Sequence, residues 1–202
     1  MKKEMTILYP VHTGLYINLT NRCPCACTFC IRQKEPDFYT KDSLWLDHEP
    51  TFEDVKAALL TKDLDSFTEF VFCGFGEPTE ALDVLVKTAA FIKSVCNKPV
   101  RLNTNGLGNL VNKKDIIPSL KGLIDAISIS LNSSNPEIYE KNVRPKFKNA
   151  HAEMISFAEE AAKIIPSVTM TTVSTTITKD DEEKCRKLCE KIGVKYRIRE
   201  LI

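Results

Sequence analysis

Four of the chain's eight cysteines, Cys23, Cys25, Cys27 and Cys30, fall within eight consecutive positions. In a reducing compartment so tight a group reads first as a metal site. Cys23, Cys27 and Cys30 stand in a C-x3-C-x2-C arrangement. Thiolates are the usual ligands of iron–sulfur clusters, and a cubane carries four irons. Three sulfurs leave one iron open, and an open corner is what reactive chemistry needs. Cys25 has two readings: a fourth ligand that closes the site, or a free thiol pointing away. A four-thiolate zinc site is the chemical alternative, but zinc spacings usually leave two to four residues between paired cysteines. Two successive C-x-C steps crowd that geometry.

The other cysteines read more plainly. Cys185, Leu188, Cys189 and Ile192 recur at i, i+3, i+4 and i+7, the spacing of a buried helix stripe. Cys96 ends a helix, and Cys73 is a small buried thiol at a strand end. Disulfide scaffolds are usually short and core-poor. This chain has long strand and helix patterns that supply a core without staples.

Those patterns position the cysteine loop. Strands are expected over residues 14–20, 68–73, 100–103, 125–131, 167–176 and 194–201. Helices are expected over 51–60, 79–95, 113–120, 136–142, 149–164 and 180–191. Thr51 is the N-cap of the first helix, with Glu53 and Asp54 in its first turn. Six β/α steps with helix-length crossovers argue for a parallel sheet in one domain, residues 1–202. A complete eight-fold barrel typically needs about 250 residues, so the expected fold is an open partial (β/α)6 barrel. A doubly wound open sheet is the rival. The cysteine loop follows the first strand and so stands at the C-terminal mouth, where sites of such folds gather.

Period-2 alternation splits the strands into two faces. Ile127, Ile129 and Leu131 oppose Ser128, Ser130 and Asn132; Leu15, Ile17 and Leu19 oppose Tyr16, Asn18 and Thr20. Thr172 and Ser174 share one phase of the fifth predicted strand. If the apolar faces meet the helices, the inner face is polar, which suggests a ligand cavity. Residues 36–50, with Phe38, Tyr39 and Trp45, could cover the mouth as a lid or pack down as an irregular insertion.

Composition narrows the function class. The chain is 43% hydrophobic and 27% charged, with a formal net charge of +1. That balance gives no whole-molecule argument for nucleic acid or an anionic membrane. No apolar run approaches the ~18 residues of a membrane span. The expected address is the cytoplasm.

The cysteine motif, with aromatic Phe29 before the last cysteine, resembles the signature of the radical S-adenosylmethionine (SAM) superfamily. Gly76-Glu77-Pro78 resembles its Gly-Gly-Glu motif, with Phe75 in place of the first glycine. Asn105-Gly106 looks like its Thr-Asn-Gly turn, and Ser128 to Asn132 like its ribose-contact segment. The family's fifth-strand glycine motif is not evident in Val173-Ser174-Thr175-Thr176-Ile177. Cys25 and the stretch Tyr139-Glu140-Lys141-Asn142-Val143-Arg144-Pro145 resemble the TatD-associated radical SAM group.

The resemblance implies a [4Fe–4S] cluster on Cys23, Cys27 and Cys30. It also implies reductive cleavage of SAM to a 5′-deoxyadenosyl radical that abstracts hydrogen from a substrate, with an external reductant of flavodoxin or ferredoxin type. Phe29, Gly76, Glu77, Ser130 and Asn132 are the implied cofactor contacts. Phe29 would cover the adenine, and Gly76 would let backbone approach the ligand. Glu77 would face a cationic amine, or serve only as a helix-start acid. Arg144 is either a partner for a carboxylate or a surface arginine. Two other functions are weighed: an activase that makes a glycyl radical on a partner protein, and a non-catalytic zinc or iron–sulfur interaction module.

Overall fold

The structure is a computed structural model, and it describes residues 5–33 and 43–200. Seven strands form one sheet in the order β1-β2-β3-β4-β5-β6-β7. They are β1 (Leu8–Val11), β2 (Gly14–Ile17), β3 (Glu69–Phe72), β4 (Val100–Thr104), β5 (Ala126–Ser130), β6 (Ser167–Val173) and β7 (Lys195–Arg199). From β2 to β7 every pairing is parallel. Strand order follows chain order without a reversal, which rules out the doubly wound alternative, whose order switches direction midway. Repeated right-handed crossovers then put the helices on one side and curl the sheet. Its two edges stay apart, so the barrel is open.

The helices are α1 (Phe52–Leu60), α2 (Leu82–Val95), α3 (Gly108–Asn112), α4 (Ile117–Leu120), α5 (Pro136–Val143), α6 (Ala150–Ile164) and α7 (Lys179–Ile192). Thr51 caps α1 as expected: its hydroxyl accepts from the Asp54 amide, and the Asp54 carboxylate accepts from the Thr51 amide at 2.8 Å.

Three element assignments differ from the sequence reading. Strand β1 is additional; it pairs antiparallel with β2 through a two-residue turn at His12 and Thr13. Its Pro10 is tolerated because β1 is an edge strand. Of the helix expected over 113–120 only the last turn, α4, forms, and α3 lies wholly before it. Lys113 takes a left-handed conformation that stops α3, and Pro118 falls in the first turn of α4. The helix expected from residue 79 starts as a 3-10 turn, Pro78–Ala81, before α2.

Register sorts the strand side chains into two layers. Ile17, Phe72, Leu102, Ile127 and Val168 align across neighbouring strands, and with Leu85, Ile92, Phe157 and Ala161 they form the apolar core under the helices. The opposite phase carries Tyr16, Cys73, Arg101, Asn103, Ser128, Ser130 and Thr171, and these line the lumen. The polar inner face is therefore a cavity wall. On β6 the phase differs from the sequence reading. Thr171 faces the lumen, whereas Thr172 faces away and its hydroxyl lies 2.7 Å from the Tyr196 hydroxyl. Cys185 and Cys189 lie fully buried in the core. Burial pushes their thiols up to about 12 and about 11, which fits an inert packing stripe.

Of the lid candidates, Phe38 and Tyr39 lie outside the described residues. The described part packs down: Leu44 and Leu46 are buried, and the Trp45 ring meets Phe75 edge-on at 5.2 Å.

Candidate functional site

The loop after β2 carries the four cysteines over the C-terminal mouth. Its backbone is held from across the chain. The amides of Ala26 and Thr28 donate to the carbonyls of Val143 and Asn142, at 3.1 and 2.8 Å, and Lys146 donates to Pro24 at 2.9 Å. Cys25 and Pro145 form an isolated antiparallel bridge. The end of α5 thus serves as a strand-like clamp on a loop with no regular structure of its own. Arg32 reinforces the loop by donating to the Cys25 and Phe75 carbonyls.

Within the loop the thiols differ. Cys25 is buried and packs into the main core, whereas Cys23, Cys27 and Cys30 are half-buried. Cys23, Cys25 and Cys27 line a cavity of about 200 Å³; Cys27 and Cys30 line an adjoining one of about 300 Å³. The Cys25 thiol hydrogen-bonds to the Cys23 sulfur. That bond holds Cys23 below the ordinary thiol range and, together with burial, pushes Cys25 well above it. Burial also pushes Cys27 up to about 12. The Asn105 amide nitrogen lies 3.9 Å from the Cys23 sulfur and 3.7 Å from that of Cys25.

Among the described residues, no three His, Cys, Asp or Glu side chains are placed to hold a single metal ion. A cubane makes a different demand, because each thiolate takes its own iron at a separate corner. Three half-buried thiols on one clamped loop, spread along two adjoining cavities that Cys27 borders in common, meet that demand in donor chemistry.

Opposite the thiols runs the loop after β3. Gly76 has no room for a side chain. A Cβ there would stand 2.2 Å from the Thr20 carbonyl oxygen and 2.7 Å from that of Arg22. The close approach Gly76 allows is thus to the backbone leading into Cys23, besides any approach to a ligand. The Glu77 amide locks the contact, donating to the Arg22 carbonyl at 2.8 Å.

Glu77 is buried, and its carboxylate accepts four hydrogen bonds. One oxygen accepts from the Thr79 amide and hydroxyl and the Thr104 hydroxyl; the other accepts from the Asn105 amide at 2.7 Å. Burial still pushes the carboxyl above its ordinary value, against those four donors. Glu77 therefore caps the turn before α2, as a helix-start acid would, and also ties two mouth loops together.

Phe29, Gly76, Glu77, Ser130 and Asn132 all line the cavity that Cys23 and Cys27 line. The fold brings together residues spread over more than a hundred positions. Asn132 is buried with a left-handed backbone, and its side-chain oxygen has no hydrogen-bond partner. Such an orphan calls for a partner that a ligand can supply. Arg144 is not among the residues lining these cavities; it is an exposed left-handed cap of α5.

Sequence reasoning missed Asn103, Thr171, Arg197 and Arg199, which also line the site. The alternation of Arg197 and Arg199 on β7 was the available signal. It also missed Tyr139, which is fully buried with an unpartnered hydroxyl. Burial first, then the nearby Cys25 and Cys27 thiols, pushes that hydroxyl's pKa up.

Fold and site together define a class: an open parallel α/β barrel with a clamped thiol loop over its C-terminal mouth. The sequence model of the radical SAM superfamily matches residues 17–192, and the chain belongs to that family. Its members use a [4Fe–4S] cluster and SAM, and they need a reductant. No curated protein matches the chain.

Solved structures share the fold at low identity. The Streptococcus suis SuiB structure bound to S-adenosylmethionine superposes with a TM-score of 0.72 at 15% identity, covering 94% of this chain and 41% of that one. Methylornithine synthase (PylB) gives 0.61 at 12%, covering 94% and 53%. Archaeal TYW1 gives 0.57 at 13%, covering 91% and 63%. The chain spans about two fifths to three fifths of these relatives. No helix among the described residues is long and apolar enough to cross a membrane.

Proposed function

We propose that the chain is a catalytic radical SAM domain whose [4Fe–4S] cluster is held by Cys23, Cys27 and Cys30, with Cys25 left as a free thiol. The observation that carries this reading is the split among the four sulfurs. Three are half-buried along two adjoining cavities, whereas Cys25 is the buried one, packed into the main core where it borders the first of those cavities. Three protein sulfurs leave one corner for the cofactor. When bound, the cluster and SAM supply one-electron cleavage of a carbon–sulfur bond and hence hydrogen abstraction from a substrate.

The protein's share is placement and exclusion. Phe29 offers a ring to cover a flat base. The Gly74-to-Glu77 edge offers backbone to SAM's amino group, while the Glu77 carboxylate keeps that edge and the Asn105 turn in register. Ser130 and the orphaned Asn132 oxygen are proposed to bond ribose hydroxyls or the SAM carboxylate. The lumen below receives the substrate. A flavodoxin- or ferredoxin-type protein is the proposed electron donor, and the cytoplasm the proposed address, because clustered thiols need a reducing compartment. Placement in the TatD-associated group rests on Cys25 and residues 139–145.

Anaerobic reconstitution tests the reading. With dithionite and SAM the protein should form 5′-deoxyadenosine. Cys23→Ala, Cys27→Ala and Cys30→Ala should each abolish that product, whereas Cys25→Ala should keep the cluster and substantial activity. Loss of product in Cys25→Ala with the cluster intact would overturn the ligand choice.

A further inference from the structure

Lys195, Arg197 and Arg199 alternate with Tyr196 and Ile198 on β7, so three cations share one face of the strand. That face is the lumen wall. Lys195 and Arg197 line its lower end, and Arg197 and Arg199 line its middle and mouth. Neighbouring members of this ladder stand about 6.5 Å apart along the strand. Their register partners on β6 are Thr169, Thr171 and Val173; the two threonines add hydroxyls, and none of the three adds charge.

Around Lys195 and Arg197 counter-charge is scarce. The middle cavity, of about 480 Å³, has Glu69 as its one acid among the described residues. Glu69 is already taken by Arg101, whose guanidinium reaches its two oxygens at 2.6 and 3.0 Å. Glu77, higher up, is covered by its four donors. Lys195 and Arg197 are exposed on the open edge of the barrel, and a concave wall with cations in excess attracts anions to it. Guanidinium groups also match the paired oxygens of carboxylates and phosphates.

We propose that the lumen receives a substrate bearing a carboxylate or phosphate group, anchored by Lys195 and Arg197. This rests on the mouth being the SAM site, since the substrate is then approached from above. The rival role for the ladder is to keep an edge strand charged and unpaired.

The test is calorimetric titration of reconstituted, SAM-loaded protein with inorganic phosphate and, separately, succinate at low ionic strength. At least one anion should bind saturably. The Lys195→Gln/Arg197→Gln double variant should weaken that binding about tenfold or more, the scale of a lost charge-assisted hydrogen bond. Arg197→Lys should keep most of it. Lys87→Gln, which removes the same charge from the outer face of α2, should match wild type. Preference for phosphate assigns a phosphorylated substrate, and preference for succinate a carboxylate. The proposal is overturned if neither anion saturates, or if Lys87→Gln weakens binding as much as the double variant. Failure of the SAM reading shows separately, as wild-type protein that makes no 5′-deoxyadenosine without any added anion.

Discussion

Gly76→Ala puts one methyl group between two backbone segments that cannot swing aside. The new Cβ would stand 2.2 Å from the Thr20 carbonyl oxygen and 2.7 Å from the Thr20 carbonyl carbon and the Arg22 oxygen. Relief requires the two loops to part by about 1 Å, judged against ordinary van der Waals separation. That movement stretches the 2.8 Å bond from the Glu77 amide to Arg22, one residue before Cys23. Overpacking of this kind costs about 2 kcal/mol, which in a domain of this size lowers the melting temperature by roughly 4–8 °C. A misplacement of about 1 Å at a reacting centre also costs roughly a hundredfold in rate. Gly74→Ala is the comparison. Its Cβ meets the Asn18 side-chain oxygen at 2.1 Å rather than backbone, so relief there disturbs the Asn18 bonds to the Leu44 and Thr6 carbonyls instead of the link to Arg22. Anaerobic melting curves and 5′-deoxyadenosine yields measure both variants. A Gly76→Ala protein that melts with wild type and turns over at the wild-type rate would refute the close-approach argument.

Three further outcomes follow from the same geometry. Glu77 has a carboxyl raised above its ordinary value of 4.5 by burial, so the folded state holds that proton more tightly than the unfolded state. Its contribution to stability is fullest below pH 4.5 and is lost as pH rises through the folded value. The stability of wild type relative to Glu77→Gln should therefore fall as pH rises through that window in urea titrations, and a flat difference would contradict the assignment. Asp181 is buried and accepts from the Ser133 hydroxyl and from the Ser134 amide and hydroxyl. Asp181→Ala leaves these donors unpaired and should cost about 3 kcal/mol by denaturant unfolding. Cys185 and Cys189, with pKa values of about 12 and about 11, are at most about one part in a thousand thiolate at pH 8. Iodoacetamide labelling followed by mass spectrometry should find both unmodified in native protein and both modified in denaturant.

The sequence by itself determined the cysteine loop and the strand–helix alternation, because both are written in local spacing. Cysteine intervals survive any fold, period-2 and period-3.6 patterns report which face is buried, and Thr51 announces its helix with neighbouring residues alone. It also placed Phe29, Gly76, Glu77, Ser130 and Asn132 around one cavity, through motifs whose order along the chain matches their order around the mouth. Only the tertiary structure decided which of the four thiols is buried. The choice depends on residues 142–146 pairing with the cysteine loop, a contact between segments more than a hundred positions apart. The same holds for the dual role of Glu77, whose donors come from the loop after β4, and for β1, whose Pro10 hides a strand that only its partner β2 makes possible. The phase of β6 misled for a related reason. Threonine runs through both of its faces, so composition carried no inside–outside signal, and register against β5 and β7 settled it. The cationic ladder on β7 was legible as alternation, but its direction was not: a strand knows its two faces, and the sheet's curl decides which of them encloses the lumen.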